Sequence, residues 1–248
     1  MGRTARRPQR SRGPRVRLLA ISTSTPRGSA ALIRDGEAPF EVAYVDLQGH
    51  AERLFEAIDA VLARAGEARA SIDALACDVG PGSFTGVRVG VASAKGIALA
   101  LGAPLFGVVS LEAMARAAFA EGAAGPEDAV IAAIDAKKGE AFVAAWDASG
   151  AALLAPCTRP LGPEALLLSV PGAARGGRLI VVGEVAAGLA LPAGARLARG
   201  PALDLPDAAW IGRLAAARRG AGGDAGADPA EIEPLYVRAP DAKPMPTV

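Results

Sequence analysis

The segment Ala76–Gly96, with the sequence ACDVGPGSFTGVRVGVASAKG, joins a short apolar run to a helix of small residues through a glycine-rich loop. Glycine-rich loops between a strand and a helix often bind phosphate. A Walker A loop requires Lys and then Ser or Thr after its last glycine, whereas Val87 and Arg88 follow Gly86 here. The dinucleotide pattern G-x-G-x-x-G fails because Thr85 occupies the last glycine position. Neither standard phosphate motif is met, and Thr85 stays a candidate phosphate contact at the start of the helix.

The helix that follows this loop carries small residues along one side. Gly86, Gly90 and Ala94 are spaced four residues apart, which places them on one helical face. Each glycine inside a helix costs about 1 kcal/mol relative to alanine. The pattern therefore indicates that another part of the structure approaches this face closely. That neighbour is either the protein's own sheet or neighbouring helix, or a helix of a partner subunit, and the sequence alone favours neither.

The composition describes an aliphatic protein with a mildly acidic body. The chain has 248 residues, of which 51% are hydrophobic and only 4% aromatic, so Ala, Val, Leu and Ile must fill the core. The formal net charge is +1, but residues 1–17 hold seven arginines and no acid, which leaves 20 basic and 26 acidic residues in the remainder. The remainder shows no basic stripe of the kind that binds nucleic acid independently.

The basic start of the chain, residues 1–15, is predicted to be a disordered tail. Contact with RNA or another polyanion is the alternative role for its arginines. The apolar stretch behind it is too short for a signal peptide, and no segment reaches the roughly 20 apolar residues of a membrane span. Cys77 and Cys157 occur in unrelated contexts, which indicates free thiols. We therefore expect a cytoplasmic protein that does not enter the membrane.

The order of predicted elements occurs twice along the chain. Three strands joined by turns, then a helix, a strand and a helix, are predicted in each half, and the second half includes a helix over 162–170. An α/β fold with two duplicated lobes is the economical interpretation. The predicted organisation is an N-terminal lobe over 16–108, a C-terminal lobe over 109–219, a linker over 220–230, and an extended segment with a tail over 231–248.

Residues able to carry out catalysis are scarce. His50 is the single histidine, no Cys/His cluster has metal-ligand spacing, and no G-x-S-x-G elbow is present. No catalytic or metal-binding residue is therefore predicted. Asp135 ends a predicted strand, where a carboxylate meets a metal ion or phosphate, or else simply forms an Asx turn. The matching position of the first half is Ser22, so an ATPase would lack its first-half acid.

Five segments of the chain carry a family resemblance. They are LLAISTST at 18–25, HAERLFEAI at 50–58, GPGSFTGVRVGVASAKGIALALGAPLFGVVSLEAMA at 80–115, AIDAKKGEAFVAAW at 133–146 and EPLYVR at 233–238. The third segment is long and highly specific, and together the matches span about residues 16–238. On these segments the chain resembles the TsaB (YeaZ) family of bacterial subunits for tRNA threonylcarbamoyladenosine biosynthesis.

The resemblance implies an actin-like and Hsp70-like (ASKHA) fold made of two ribonuclease-H-like α/β lobes. It also implies a non-catalytic subunit that binds and activates TsaD, a paralogue that forms N6-threonylcarbamoyladenosine beside the anticodon of tRNAs reading ANN codons. The ATPase TsaE is a further implied partner, and a homodimer is the implied form of the isolated subunit. No intrinsic cofactor is implied, with ATP or ADP bound only within the complex and tRNA contacted mainly through the complex.

The resemblance also assigns a partner interface. In the family, the helix that begins near Ala51 and the small-residue helix pair with the equivalent helices of TsaD or of a second copy. The contact positions carried over to this sequence are Leu54, Ile58, Gly86, Val87, Gly90, Val91 and Ala94. The family usually has an aspartate where this chain has Ser22, which weakens the case for nucleotide binding in the first half. Asp135 and Thr85 are the candidate nucleotide or phosphate contacts.

Two other functions are compatible with parts of this pattern. The first is a nucleotide-dependent phosphotransferase or ATPase of the same fold, which needs carboxylates in both halves to position magnesium and nucleotide. The second is a peptidase, which needs a histidine pair or a nucleophile elbow. Ser22 argues against the first function, and the single histidine, His50, argues against the second.

Overall fold

The computed structural model describes residues 16–46, 51–162, 170, 177–220 and 225–238. His50, the basic tail, the last ten residues and most of the helix predicted over 162–170 lie outside the described residues. Within the described ranges, the chain forms two five-stranded sheets with helices packed on them.

The first half of the chain forms one of the two sheets. In chain order its elements are β1 (Arg17–Ser22), β2 (Arg27–Arg34), β3 (Phe40–Val45), α1 (Ala51–Ala65), β4 (Ala74–Asp78), α2 (Phe84–Leu101) and β5 (Leu105–Val108). The spatial order is β3-β2-β1-β4-β5. Strands β1 to β3 form an antiparallel meander, whereas β4 runs parallel to β1 and β5 runs parallel to β4.

The second half of the chain repeats this arrangement. Its elements are α3 (Ser110–Ala120), β6 (Ala129–Lys137), β7 (Glu140–Asp147), β8 (Ala152–Pro160), β9 (Leu179–Val182), β10 (Arg196–Leu197), α4 (Pro201–Asp204) and α5 (Ala208–Gly220). Strands β6 to β8 are antiparallel and β9 and β10 continue the sheet in parallel, so β8-β7-β6-β9-β10 corresponds to β3-β2-β1-β4-β5. The predicted duplication of an α/β unit is confirmed.

Both faces of the first sheet are covered by helices. On β1, Leu19 and Ile21 face the side that carries α1 and α2, and the alternate residues Leu18 and Ala20 face α5. All four side chains are almost completely buried. A strand enclosed on both faces reads as a continuous apolar run, as LLAI does here.

Helix α5 crosses from the second half of the chain to the first sheet. It falls within the range predicted for the C-terminal lobe, yet Ala208 and Ile211 pack with the core residues of β1 and β2. The Ser29 hydroxyl on β2 accepts a hydrogen bond from Ala208 N at 2.8 Å, which anchors the start of the helix. Helix α3 packs on the second sheet and also contacts α5, so these two helices join the two sheets.

Helix α2 lies unusually close to the end of β1. A Cβ atom added at Gly90 would overlap the Thr23 hydroxyl, and that hydroxyl already donates a hydrogen bond to Gly86 O at 2.8 Å. The helix therefore rests on Thr23 through a face that has no room for a side chain at position 90. By contrast, a Cβ at Gly96 would meet nothing within 4 Å.

We expect Gly90→Leu to lower the free energy of unfolding by about 1–3 kcal/mol, because the added side chain overpacks the contact with Thr23. Gly96→Leu is the matched control, since leucine gains helix propensity there without a neighbour to displace. Urea unfolding followed by circular dichroism measures both variants. Equal stability of the two variants would contradict the close approach at Gly90.

A buried carboxylate gives a second prediction for stability. Asp207 is 4% exposed and its carboxylate accepts a hydrogen bond from Trp210 N at 2.8 Å at the start of α5. Burial, with repulsion from Glu41, raises the pKa of Asp207 from 3.8 to about 6. Because the folded-state pKa is raised, protonated Asp207 stabilises the fold below about pH 4, and this stabilisation is lost as the pH rises through about 6.

We therefore expect Asp207→Asn to raise the free energy of unfolding at pH 7.5 by ~1–3 kcal/mol, since the amide oxygen still accepts the bond from Trp210 N without a buried charge. The gain should vanish below pH 4. Urea unfolding from pH 4 to pH 8 measures the difference. A gain that is the same at every pH would show that the charge of Asp207 is not its cause.

Candidate partner interface

The glycine-rich loop holds helix α2 against the chain itself. Ser83 N donates a hydrogen bond to Ser24 O at 2.6 Å, and the Ser83 hydroxyl accepts one from Gly86 N at 3.2 Å as the N-cap of the helix. A Cβ at Gly82 would collide with the backbone of Ser24. The glycines of this loop thus allow it to lie directly on the segment that follows β1, and the close contact at Gly82 is with the protein's own backbone.

The seven predicted interface residues lie on α1 and α2, on the faces that pack within the chain itself. All seven are buried within the chain's own fold, where they face the first sheet and each other: Leu54, Ile58, Gly86, Val87, Gly90, Val91 and Ala94. The contact of these side chains with a partner stays a prediction, and the structure places all seven residues in the chain's own core. The physical reason is the contact with Thr23, which turns this small-residue face of α2 towards β1.

The opposite face of α2 carries a second row of small residues. Ala92, Gly96 and Ala100 have the same spacing of four residues, and all three are exposed. Leu99 lies beside this row with 64% of its surface exposed. We call Ala92, Gly96, Leu99 and Ala100 the exposed ridge of α2. It is apolar, flat and free of contacts from the described part of the chain at Gly96.

Helix α1 extends this surface. Phe55 projects from α1 with 42% of its surface exposed, although it is a large aromatic residue. Together with Ile97 of α2 it lines a mainly apolar groove, which is also lined by Ile58, Leu62 and Arg69. Solvent-exposed apolar surface of this kind marks contact sites on soluble proteins. The exposed ridge and Phe55 therefore form the candidate interface.

Among the described residues, one helix, α2, has the length and the apolar composition that crossing a membrane requires. These two properties are weak evidence, because a core helix of a soluble protein has them as well. One face of α2 packs on the first sheet, and its remaining apolar residues include the exposed ridge.

Within the described part of the chain, no hydrogen bond or ion pair joins the two residues predicted to bind phosphate, Thr85 and Asp135. Thr85 is exposed on the first turn of α2. The carboxylate of Asp135 accepts a hydrogen bond from Lys137 N at 2.7 Å and pairs with Lys137 Nζ at 2.5 Å. Burial alone would raise the pKa of Asp135, but the bonds from Lys137 outweigh it and lower the pKa. Asp135 thus occupies the turn that follows its strand.

The sequence-based search missed a buried carboxylate at the end of β4. The Ser22 hydroxyl donates a hydrogen bond to Asp78 Oδ2 at 2.5 Å, and both residues are almost fully buried. Burial raises the pKa of Asp78, against the hydrogen bonds from Ser22 and Ser24. The signal in the sequence was Asp78 itself, a charged residue at the end of the apolar strand β4, which pairs with β1. Because Asp78 is enclosed, it has no open side toward a magnesium ion or a nucleotide.

The structure describes no group of three or more His, Cys, Asp or Glu side chains with metal-binding geometry in the ranges given above. Cys77 is buried and Cys157 is half-buried, and both are free thiols. Burial raises the pKa of both thiols, which makes them poor nucleophiles at neutral pH.

Comparison with known proteins places these features in a family. A family model described as TsaD, tRNA N6-adenosine threonylcarbamoyltransferase, matches residues 45–157. The TsaB protein of Escherichia coli is 40% identical over 133 residues, which cover 53% of this chain and 55% of that protein. The match thus spans about half the length of this curated relative. An uncharacterized protein of Mycobacterium tuberculosis is 32% identical over 92% of this chain and 94% of its own length.

A solved structure matches almost the whole fold. YeaZ from Pseudomonas aeruginosa superposes with a TM-score of 0.74 and 30% sequence identity, covering 89% of this chain and 99% of that chain. A similarity that extends over nearly the full length of both chains includes both sheets and the two helices of the candidate interface. The chain therefore belongs to the TsaB (YeaZ) family.

Proposed function

We propose that this chain is a non-catalytic subunit that binds and activates a TsaD-type threonylcarbamoyltransferase during formation of N6-threonylcarbamoyladenosine in tRNA. Membership of the TsaB family supports the pathway, because the E. coli relative is named for tRNA threonylcarbamoyladenosine biosynthesis. In this proposal the transferase contributes the reactive centre, and this chain contributes the exposed face of α1 and α2. A TsaE-type ATPase is the further partner, and ATP or ADP binds only within the complex.

The main support for this proposal is the exposed position of Gly96 in the middle of helix α2. A glycine in the middle of a helix costs about 1 kcal/mol relative to alanine, and a Cβ at the exposed position of Gly96 would meet nothing within 4 Å outside the helix's own backbone. Leu99 on the same helix and Phe55 on α1 are exposed, which leaves apolar area in water. A partner helix that packs on the exposed ridge would bury these side chains and use the space above Gly96.

The match to the transferase family model supports a TsaD-type subunit as the partner. The matched range, residues 45–157, contains both α1 and α2, so a homologous subunit carries an equivalent pair of helices. Two like helix pairs pack face to face about a pseudo-twofold axis, as in isologous dimers. A second copy of this chain fits the same face, which supports a homodimer when the transferase is absent.

The geometry gives less support to a phosphotransferase or ATPase. Such an enzyme positions magnesium and nucleotide with accessible carboxylates in both lobes. In this fold the first-lobe carboxylate, Asp78, is buried against Ser22, and the second-lobe carboxylate, Asp135, is engaged by Lys137. The role of a non-catalytic subunit is therefore better supported than that of a phosphotransferase or ATPase.

We expect Gly96→Leu to weaken binding to the transferase at least tenfold, because the leucine side chain fills the space that the partner helix needs. The isolated variant should unfold at the same or a slightly higher temperature, since leucine has the better helix propensity. Isothermal titration calorimetry with the TsaD-type subunit of the same organism measures the affinity, and mass spectrometry of tRNA nucleosides measures the modification in a deletion strain.

Gly220→Leu is the matched control for this experiment. Gly220 is also an exposed helical glycine whose added Cβ meets nothing within 4 Å, but it ends α5, which packs on the other face of the first sheet. The control should bind the transferase like the unmodified chain. Unchanged affinity for Gly96→Leu would show that the partner does not pack on the exposed ridge.

We expect Asp135→Asn to leave threonylcarbamoyladenosine levels within about twofold of normal in the complemented deletion strain, because Asp135 serves its own turn rather than a nucleotide. The same variant tests the rejected enzyme function when the purified chain is assayed with Mg-ATP. Turnover of ATP by the unmodified chain alone, abolished in Asp135→Asn, would favour a phosphotransferase or ATPase.

A further inference from the structure

Three exposed side chains form a stacked cluster at the start of helix α2. The guanidinium carbon of Arg88 lies 3.6 Å from the centroid of the Phe84 ring and 5.6 Å from that of Tyr236. The two rings lie 5.5 Å apart and are tilted by 40°. Phe84 and Tyr236 remain 45% and 48% exposed, so the cluster is presented to solvent.

The arginine of this cluster has a fixed direction and no acidic partner within the described part of the chain. Arg88 Nε donates a hydrogen bond to the Tyr236 hydroxyl at 2.8 Å, which leaves its two terminal nitrogens for another acceptor. Stacking on Phe84 and the bond to Tyr236 restrict the side chain before anything binds. An arginine that is held in this way loses little conformational entropy when it pairs with a carboxylate.

Tyr236 is held in place from both lobes. Its neighbour Leu235 donates a backbone hydrogen bond to Val79 O at 2.7 Å, directly before the glycine-rich loop. Val237 packs against the core of the second sheet, and Arg238 pairs with Glu140 at 3.1 Å. The ring that orients Arg88 is therefore part of an anchored segment.

The cluster continues the exposed ridge of α2. Arg88 precedes Ala92 by four residues, so Arg88, Ala92, Gly96 and Ala100 occupy one line along the helix. A partner helix that packs on the ridge passes over Arg88 at one end. The residues that contribute most to the affinity of protein interfaces are enriched in Trp, Tyr and Arg.

We propose, on the basis of the function proposed above, that Arg88 is the polar anchor of the subunit interface and pairs with a carboxylate of the partner subunit. Its terminal nitrogens supply a bidentate donor pair, which matches the two oxygens of Asp or Glu. Phe84 and Tyr236 orient the guanidinium and cover part of the same contact. The small residues of the ridge allow close approach, and Arg88 fixes the position of the partner helix along the ridge.

The test compares Arg88→Ala, Arg88→Lys and Tyr236→Phe with the unmodified chain in calorimetric titrations with the TsaD-type subunit. We expect Arg88→Ala to raise Kd about 30-fold, the loss typical of an interface hot spot. Arg88→Lys should recover only part of the affinity, because an ammonium group lacks the planar donor pair. Tyr236→Phe should weaken binding by a smaller factor, since it removes only the hydroxyl that orients Arg88.

Arg213→Ala is the matched control, because Arg213 is an exposed arginine 4.5 Å from the ring centroid of Trp210, on the opposite face of the first sheet. It should leave Kd unchanged. Titrations at 50 mM and 500 mM NaCl measure how Kd depends on salt. Arg88→Ala would not change this dependence if Arg88 had only a structural role. The unmodified chain should lose more affinity with added salt than Arg88→Ala, because only the unmodified chain has the charge pair.

The outcomes separate this inference from the proposed function. If Gly96→Leu abolishes binding but Arg88→Ala binds normally, the scaffold role stands and the anchor role of Arg88 is overturned. If Arg88→Ala binds the transferase normally but lowers the affinity of the assembled complex for tRNA, Arg88 contacts RNA and the carboxylate pairing is also overturned. If the unmodified chain does not bind the transferase, both the proposed function and the anchor are wrong.

Discussion

The contact between Thr23 and Gly90 fixes the rotation of helix α2 about its own axis. The Thr23 hydroxyl occupies the space of a Cβ at position 90 and bonds to the carbonyl of Gly86, so the helix rests on β1 with its backbone. Once this face is turned inward, the helical repeat requires the row that contains Gly96 to face outward. The buried core and the exposed ridge are therefore two consequences of one contact.

The repeated architecture could be predicted from the sequence, because each half of the chain carries the same local signals. The apolar runs and Gly turns specify strands, and the helical spacing of apolar residues specifies α1. The placement of α5 could not be predicted in this way. Its apolar face shows that it packs on a sheet but does not identify the sheet. Contacts between residues far apart in sequence make that choice, among them the bond between Ser29 and Ala208 and the packing of Ile211 on the first sheet.

The choice of helix face illustrates a second limit of sequence analysis. Gly86, Gly90 and Ala94 have the same spacing as Ala92, Gly96 and Ala100, so spacing alone does not separate the buried row from the exposed one. The stripe of apolar residues that includes Val87 and Val91 offered a better guide. Val87, Val91, Ala94 and Ala98 recur at helical spacing, and all four are buried against the sheet. A glycine far from this stripe, such as Gly96, is the position that the fold itself does not require.

Two local costs of this structure lie on one surface, the outer face of α2. A sequence satisfies its own fold at most positions and departs from local rules where it serves a function. The carboxylates at the strand ends bond within the chain, since Asp78 Oδ2 accepts a bond from Ser22 and Asp135 bonds within its own turn, but Asp78 Oδ1 is buried with no hydrogen-bond partner among the described residues. Two residues depart from these local rules without a reason in the fold: Gly96 lies at an exposed position inside a helix, and the Leu99 side chain is exposed to water. Because both lie on the outer face of α2, they coincide with the surface to which we propose that another subunit binds.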